Sequence, residues 1–173
     1  MTTVIVDGYN LIGRRPDLGP FRTADLDAAR ASLIAALDDY AGATGHTIVV
    51  VFDADRSPAG EIRERAGRID VVYTAYGQTA DAWIEAEVRR LRGRVRGELV
   101  VATDDRLIAV AARAVGASVV GARELWADVE RVRRAVDRFI RRRQLEAERP
   151  GLGARLPKEV RLFFEKYRRK KDP

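Results

Sequence analysis

Aspartates stand at three points where apolar, β-branched runs of the chain give out. Thr2-Thr3-Val4-Ile5-Val6 runs into Asp7-Gly8-Tyr9-Asn10, Thr47-Ile48-Val49-Val50-Val51-Phe52 into Asp53-Ala54-Asp55, and Leu99-Val100-Val101-Ala102 into Thr103-Asp104-Asp105. A further acid, Asp81, follows Thr79-Ala80 at the expected start of a helix. If the runs are buried parallel strands, all these acids lie on one edge of one sheet, where open α/β folds place their ligands. Carboxylates packed together without counter-charge repel, and some protonate. A hard divalent cation, Mg²⁺ or Mn²⁺, is the simplest compensation for an all-oxygen site. Asn10, three residues after Asp7, can add a neutral oxygen or hold a carboxylate in place. A metal held by carboxylates activates water and neutralises charge on a phosphate. Each Asp alone has a plainer reading as a cap or turn residue, and Asp81 in a first helical turn is explained by the helix dipole. Recurrence at equivalent places is what favours a site.

The remaining composition narrows the chemistry. Cysteine is absent, which removes disulfides, thiol nucleophiles and Cys-based zinc. Histidine occurs once, at His46, ahead of a strand, and reads as a loop residue rather than a ligand. All lysines (Lys158, Lys166, Lys170, Lys171) lie in the last part of the chain. A P-loop needs its Gly-rich run and Lys, and a dinucleotide site needs its glycine fingerprint; neither is present, so no nucleotide cofactor is expected. Receiver-type and haloacid-dehalogenase-type sites also use an Asp cluster, but they rely on a lysine that the body lacks. Trp83 and Trp126 sit among apolar helix positions and read as core.

The elements that must position these acids follow from periodicity. Strands are expected at 2–6, 47–52, 69–74, 99–102 and 117–120. Between them lie helical patterns: Leu26, Ala29, Leu33, Ile34, Leu37 and Tyr40, capped by Thr23 and stopped by Gly42 and Gly45; Trp83, Ile84, Val88 and Leu91, capped by Thr79; and Leu107, Ile108, Val110 and Ala111, closed by Gly116. A last body helix from Ala122 carries Leu125, Trp126, Val129, Val132, Val136, Phe139 and Ile140, with Phe139 and Ile140 expected in the core. Residues 14–20 and 56–68 read as loops. Pro157 suits the first position of a closing helix with Val160, Phe163, Phe164 and Tyr167 on one face. Strands alternating with helices imply a parallel, doubly wound sheet.

Length and charge bound the rest. The 173 residues suffice for one well-cored domain. No apolar run approaches the ~20 residues of a membrane span and no signal-peptide pattern opens the chain, so a cytoplasmic protein without a membrane partner is expected. Residues 138–173 hold 13 Lys+Arg against 5 Asp+Glu, whereas residues 1–137 hold 19 against 21. A near-neutral body with a basic arm suggests a polyanion partner; the plainer alternative is charge for solubility.

The blocks Asp7-Gly8-Tyr9-Asn10-Leu11-Ile12-Gly13, Val50-Val51-Phe52-Asp53-Ala54, Thr79-Ala80-Asp81, Ala102-Thr103-x-Asp105 and Ala122-Arg123-Glu124-Leu125, with the closing Phe164-Glu165-Lys166-Tyr167-Arg168-Arg169, resemble the YacP-like group of NYN-domain ribonucleases, which are PIN-like nucleases. The resemblance implies an α/β, PIN-like three-layer domain with a mostly parallel central sheet; with the charge count and the last body helix, this domain is expected over residues 1–145 and a basic helical arm over 146–173. It implies a Mg²⁺-dependent endoribonuclease that cleaves single-stranded RNA, mRNA on the ribosome in particular. It places catalytic roles on Asp7, Asn10, Asp81 and Asp105, and a supporting one on Asp53. Metal ligation is expected of Asp7, Asp81 and Asp105. The group's usual Ser before Asp105 is Asp104 here, so two adjacent acids compete for that ligand position and both join the expected catalytic set. The usual Glu before Thr79 is Gln78, and Arg15 stands where an aromatic is usual. RNA contacts are expected of Arg14, Arg15, Arg141, Arg142, Arg143, Arg168, Arg169, Lys170 and Lys171. The competing class is a non-catalytic RNA- or ribosome-binding module that retains the fold.

Overall fold

The computed structural model describes residues 2–14, 25–53, 60–95 and 97–147. Thr23, Asp55, Arg15, the closing helix expected from Pro157, and Arg168, Arg169, Lys170 and Lys171 lie outside the described residues. In chain order the elements are β1 (Thr2–Asp7), α1 (Gly8–Arg14), α2 (Leu26–Thr44), β2 (Thr47–Phe52), β3 (Ile62–Ala66), β4 (Ile69–Tyr73), α3 (Ala80–Leu91), β5 (Glu98–Ala102), α4 (Arg106–Ala114), β6 (Ser118–Val120) and α5 (Ala122–Ala147). The chain divides into two units within α5, Met1–Arg134 and Ala135–Pro173.

In the first unit six strands form one sheet in the order β3-β4-β2-β1-β5-β6. β1 pairs in parallel with β2 and β5, β2 with β4, and β5 with β6. The central strands are apolar throughout because both faces are covered. Val4, Val6, Ile48, Val50 and Phe52 join a core with Leu33, Leu37, Tyr40 and Trp126. Ile5, Val49, Val51 and Val101 face the opposite way, into a core with Trp83, Ile84, Val88 and Ile108. Helix–sheet–helix layering follows, and both tryptophans are core residues as expected.

The expectation of a loop over 56–68 is overturned by β3, which pairs antiparallel with β4. Four of its five residues are exposed, so this edge strand carries no apolar alternation to read. A tight turn makes it: Gly67 takes φ 59°, and a Cβ there would come within 2.5 Å of Asp38 Oδ1, which accepts the Arg68 N–H at 2.6 Å.

Two boundaries and one buried face differ from the periodicity. The segment after Asp7 is helical at once, as α1. Gly8 lacks a Cβ because one would overlap the Phe52 ring. α2 starts at an Asp25 cap, whose side chain accepts from Ala28 N at 2.8 Å, and runs through Gly42 to close at Gly45 with φ 71°. In α4 only Ile108 and Ala112 are buried, while Leu107 and Val110 face solvent. No helix of the described residues is long and apolar enough to cross a membrane.

In the second unit α5 continues to Ala147 with Phe139 60% and Ile140 47% exposed, which corrects their assignment to the core. A helix of 26 residues is about 39 Å long.

Candidate active site at the carboxyl edge of the sheet

Side-chain alternation along the strands sorts the acids before any distance is measured. Odd-numbered residues of β1, β2 and β5 (Ile5, Val49, Val51, Val101) face the α3–α4 core. Even-numbered ones (Val4, Val6, Val50, Phe52, Ala102) face the other core. The same parity sends Asp7, Asp53 and Asp105 toward α3 and α4, and Asp104 to the opposite face. The hydrogen bonds agree for Asp53, Asp104 and Asp105.

Asp7 ends the central strand and is buried at 9% exposure. Its Oδ1 accepts the Asn10 backbone N–H at 3.0 Å. Burial, and then the negative charges of Asp81 and Asp53, push its carboxyl up to about 6, against the downward pull of N–H bonds from Asn10 and Tyr9. Asp81 sits in the first turn of α3, whose start is fixed by the Thr79 side chain accepting from Ala82 N at 3.2 Å. Burial raises its carboxyl pKa too, followed by the charges of Asp105, Asp53 and Glu85. Asp81 and Asp53 thus act on Asp7, and Asp105 and Asp53 act on Asp81, which links the four acids into one repelling set.

Two of these acids also hold structure. Asp53 Oδ1 accepts the Ala80 N–H, which ties the end of β2 to the first turn of α3. Asp105 caps α4, its Oδ1 accepting from Leu107 N at 2.7 Å and Ile108 N at 3.1 Å. Thr103, buried and given no role of its own in the sequence motifs, orients this corner: its N–H bonds Val120 O and its Oγ1 accepts the Asp105 N–H, each at 3.0 Å. Asp104 stands apart. Its Oδ2 accepts from Arg14 Nε at 2.8 Å and its Oδ1 from Ala122 N at 3.0 Å, and it is absent from the charges acting on Asp7 or Asp81.

Among the described residues no three His, Cys, Asp or Glu side chains are gathered into a ready cation cage. The donor chemistry nevertheless fits a hydrated hard cation. Mg²⁺ keeps several waters and is commonly held by one or two carboxylates together with substrate phosphate. Asp7 and Asp81 supply raised-pKa carboxylates, whose charge a cation would relieve. Asn10 supplies a buried Oδ1 that has no hydrogen-bond partner among the described residues, and an acceptor left so is costly unless something fills it.

Of the expected RNA contacts, Arg14 is engaged by Asp104 with its side chain 45% exposed. Arg141, Arg142 and Arg143 are exposed on α5, with Arg143 over the Phe139 ring at 5.4 Å from its centroid. His46 lies at the amino edge of the sheet, edge-on to Tyr40. It lines a separate cavity of about 630 Å³ with Glu98, Asp128 and Arg131, far along the strands from the acids. Among the described residues, the expected acids Asp7, Asp53, Asp81 and Asp105 come together at the carboxyl edge.

Comparison with known proteins gives the family. A model of the YacP-like NYN domain matches residues 4–169. The chain is 35% identical over 169 residues to the YacP protein of Bacillus subtilis (strain 168), covering 98% of each. It superposes on a crystal structure of Rae1 (YacP) from Bacillus subtilis with a TM-score of 0.70 and 34% identity, covering 98% of this chain and 95% of that one. A point mutant of the same protein gives 0.70 and 30%, covering 96% and 99%. Opening block, sheet order and acid-bearing edge thus meet in one conclusion: the chain belongs to the YacP-like NYN domain family, a nuclease-like family.

Proposed function

We propose that the protein is a Mg²⁺- or Mn²⁺-dependent endoribonuclease that cleaves single-stranded RNA, with mRNA on the ribosome as its substrate. The observation that carries this reading is Asp7: a buried carboxylate raised to about 6 at the end of the central strand, with Asp81 and Asp53 adding to its charge burden. An arrangement that stores repulsion at a ligand-binding edge suits a site completed by a cation and an anionic substrate.

In this reading Asp7 and Asp81 would hold the metal, with Asn10 Oδ1 as a neutral donor; Asp105, the third expected ligand, caps α4 and would add its charge. The metal, when bound, supplies an activated water and offsets charge on the phosphate. Asp53 keeps Asp81 in register by holding the Ala80 N–H. Asp7 is kept in place by the Asn10 N–H. The arginines of α5 (Arg141, Arg142, Arg143) and the basic residues Arg168, Arg169, Lys170 and Lys171 engage RNA phosphates, as does Arg14; Arg15 joins them in the proposal. The family includes Rae1 (YacP), whose fold this chain shares.

The competing reading, an RNA- or ribosome-binding module without catalysis, draws on the lack of a ready three-ligand cage among the described residues. One experiment separates the two. A 5′-labelled single-stranded RNA is incubated with the protein, with and without ribosomes, in Mn²⁺, in EDTA, and with Asp7→Asn. Cleavage that disappears in EDTA and in the variant, with RNA binding retained, supports the nuclease. Binding without cleavage under every condition supports the module.

A further inference from the structure

Asp104 takes no part in the repelling set, yet both of its oxygens are used. One accepts from Arg14 Nε at 2.8 Å and the other from the Ala122 N–H at 3.0 Å. Arg14 is the last residue of α1 and Ala122 the first of α5. The junction is close: a Cβ on Gly121 would stand 3.2 Å from Asp104 Oδ1.

We propose that Asp104 is a positioning residue that pins the end of α1 to the start of α5, and that the Arg14 guanidinium held by this pin is a phosphate-binding group of the RNA site. The proposal rests on the nuclease reading for its substrate and on the two bonds for its geometry. α1 has only seven residues, too few to be stable alone, so its orientation depends on what holds its ends. Its N-terminal end continues directly from Asp7. Its C-terminal end is held through Arg14, which lies four residues after Asn10 and so on the same helical face. Fixing Arg14 fixes the rotation of α1, and with it the direction of Asn10 toward Asp7.

The same bond prepares Arg14 for an anion. A guanidinium carries five N–H donors in a rigid fork, and the Asp104 contact uses the Nε side. The pair is partly exposed, with side chains 45% and 27% accessible, so a phosphate oxygen can approach the guanidinium from solvent. Asp104 also explains why two adjacent acids serve one strand end. Opposite parity gives Asp105 to α4 and the acid set, and Asp104 to α1 and α5.

The test uses the full chain, Mn²⁺ and a single-stranded RNA of fixed sequence, with Asp104→Asn, Arg14→Ala and the double variant. Asn at 104 keeps an oxygen for the Ala122 N–H, so the fold is preserved while the charged hold on Arg14 is lost. The expected result for Asp104→Asn is a kcat lowered about tenfold, KM no higher, and an unchanged half-saturating Mn²⁺ concentration. Arg14→Ala lowers kcat similarly, raises KM several-fold and reduces the salt slope of RNA binding by about 0.7. The double variant has the kcat of Arg14→Ala, because Asp104 acts through Arg14. A tenfold rise in half-saturating Mn²⁺ in Asp104→Asn would make Asp104 a metal ligand and overturn the proposal. Losses that multiply in the double variant, or kinetics left unchanged by Asp104→Asn, overturn it as well. Failure of the wild type to cut RNA ends the nuclease reading instead. In that case the pin is judged by a urea-unfolding cycle of Asp104→Ala and Arg14→Ala, and phosphate binding by the salt slope; absence of coupling or an unchanged slope refutes it.

Discussion

The Asp53 carboxylate accepts a hydrogen bond from the backbone N–H of Ala80, 27 residues further along the chain. That bond joins the end of β2 to the first turn of α3 and satisfies a helix N–H that has no partner within the helix. It also sets the position of Asp81, one residue on. Replacing Asp53 by Ala is expected to cost about 1 kcal/mol of stability, the usual effect of losing an N-terminal cap, and to lower cleavage by displacing Asp81. Asp53→Asn keeps the acceptor and should recover most of the stability. Urea unfolding of both variants checks this; equal stability of Asp53→Ala and wild type would remove the structural role.

Asp7 makes the apo protein pH-sensitive in a definite direction. Its carboxyl is raised from 3.8 to about 6 in the fold, so the folded state holds the proton more firmly than the unfolded state. The stability this contributes is complete below the unfolded value and is lost as pH rises through about 6. In metal-free buffer Asp7→Asn should therefore exceed the wild type in stability above pH 6, by on the order of 3 kcal/mol at most. The advantage should shrink steadily toward pH 4. Mg²⁺ should stabilise the wild type and not the variant. A difference between the two proteins that stays flat from pH 4.5 to 7.5 would contradict the buried, repelled state of Asp7.

Asp105 combines a cap with a charge. Asn is as good a cap as Asp, so Asp105→Asn should retain α4 and unfold within about 0.5 kcal/mol of wild type. Its loss of charge should raise the half-saturating Mn²⁺ concentration and lower the rate by more than Asp104→Asn does. Rates and Mn²⁺ titrations on one RNA decide the ranking; the reverse order would mean that Asp104 holds the functional position.

The basic arm should reveal itself through salt. Reversing Arg168, Arg169, Lys170 and Lys171 to Glu should flatten the dependence of log affinity on log salt by about 0.7 per lost phosphate contact on single-stranded RNA. Affinity and slope both unchanged would assign those charges to solubility. Phe139 stands exposed in the helix before the arm, so Phe139→Ser should change stability by no more than about 0.5 kcal/mol.

The sequence by itself determined the central strands, the helices between them and the acids at their ends. Apolar runs such as Val4-Ile5-Val6 and Val49-Val50-Val51 are buried on both faces, a condition that leaves few alternatives to a covered parallel sheet. Thr79 capping α3 was equally legible, because capping is local. The opening Asp7-Gly8-Tyr9-Asn10 block carried the family resemblance. Tertiary structure alone decided the remainder. β3 is an exposed edge strand fixed by a turn against Asp38, and no pattern within Ile62–Ala66 announces it. Phe139 and Ile140 keep helical spacing with the buried residues of α5, yet are exposed, because periodicity records the face of a helix and not how far its cover extends. Asp104 and Asp105 are the same residue type side by side. Only the alternation of β5, carried to partners on α1, α4 and α5, separates a pin from a member of the acid set. Side-chain type is written in the chain, whereas the direction of a carboxylate depends on which distant N–H or guanidinium the fold brings to it.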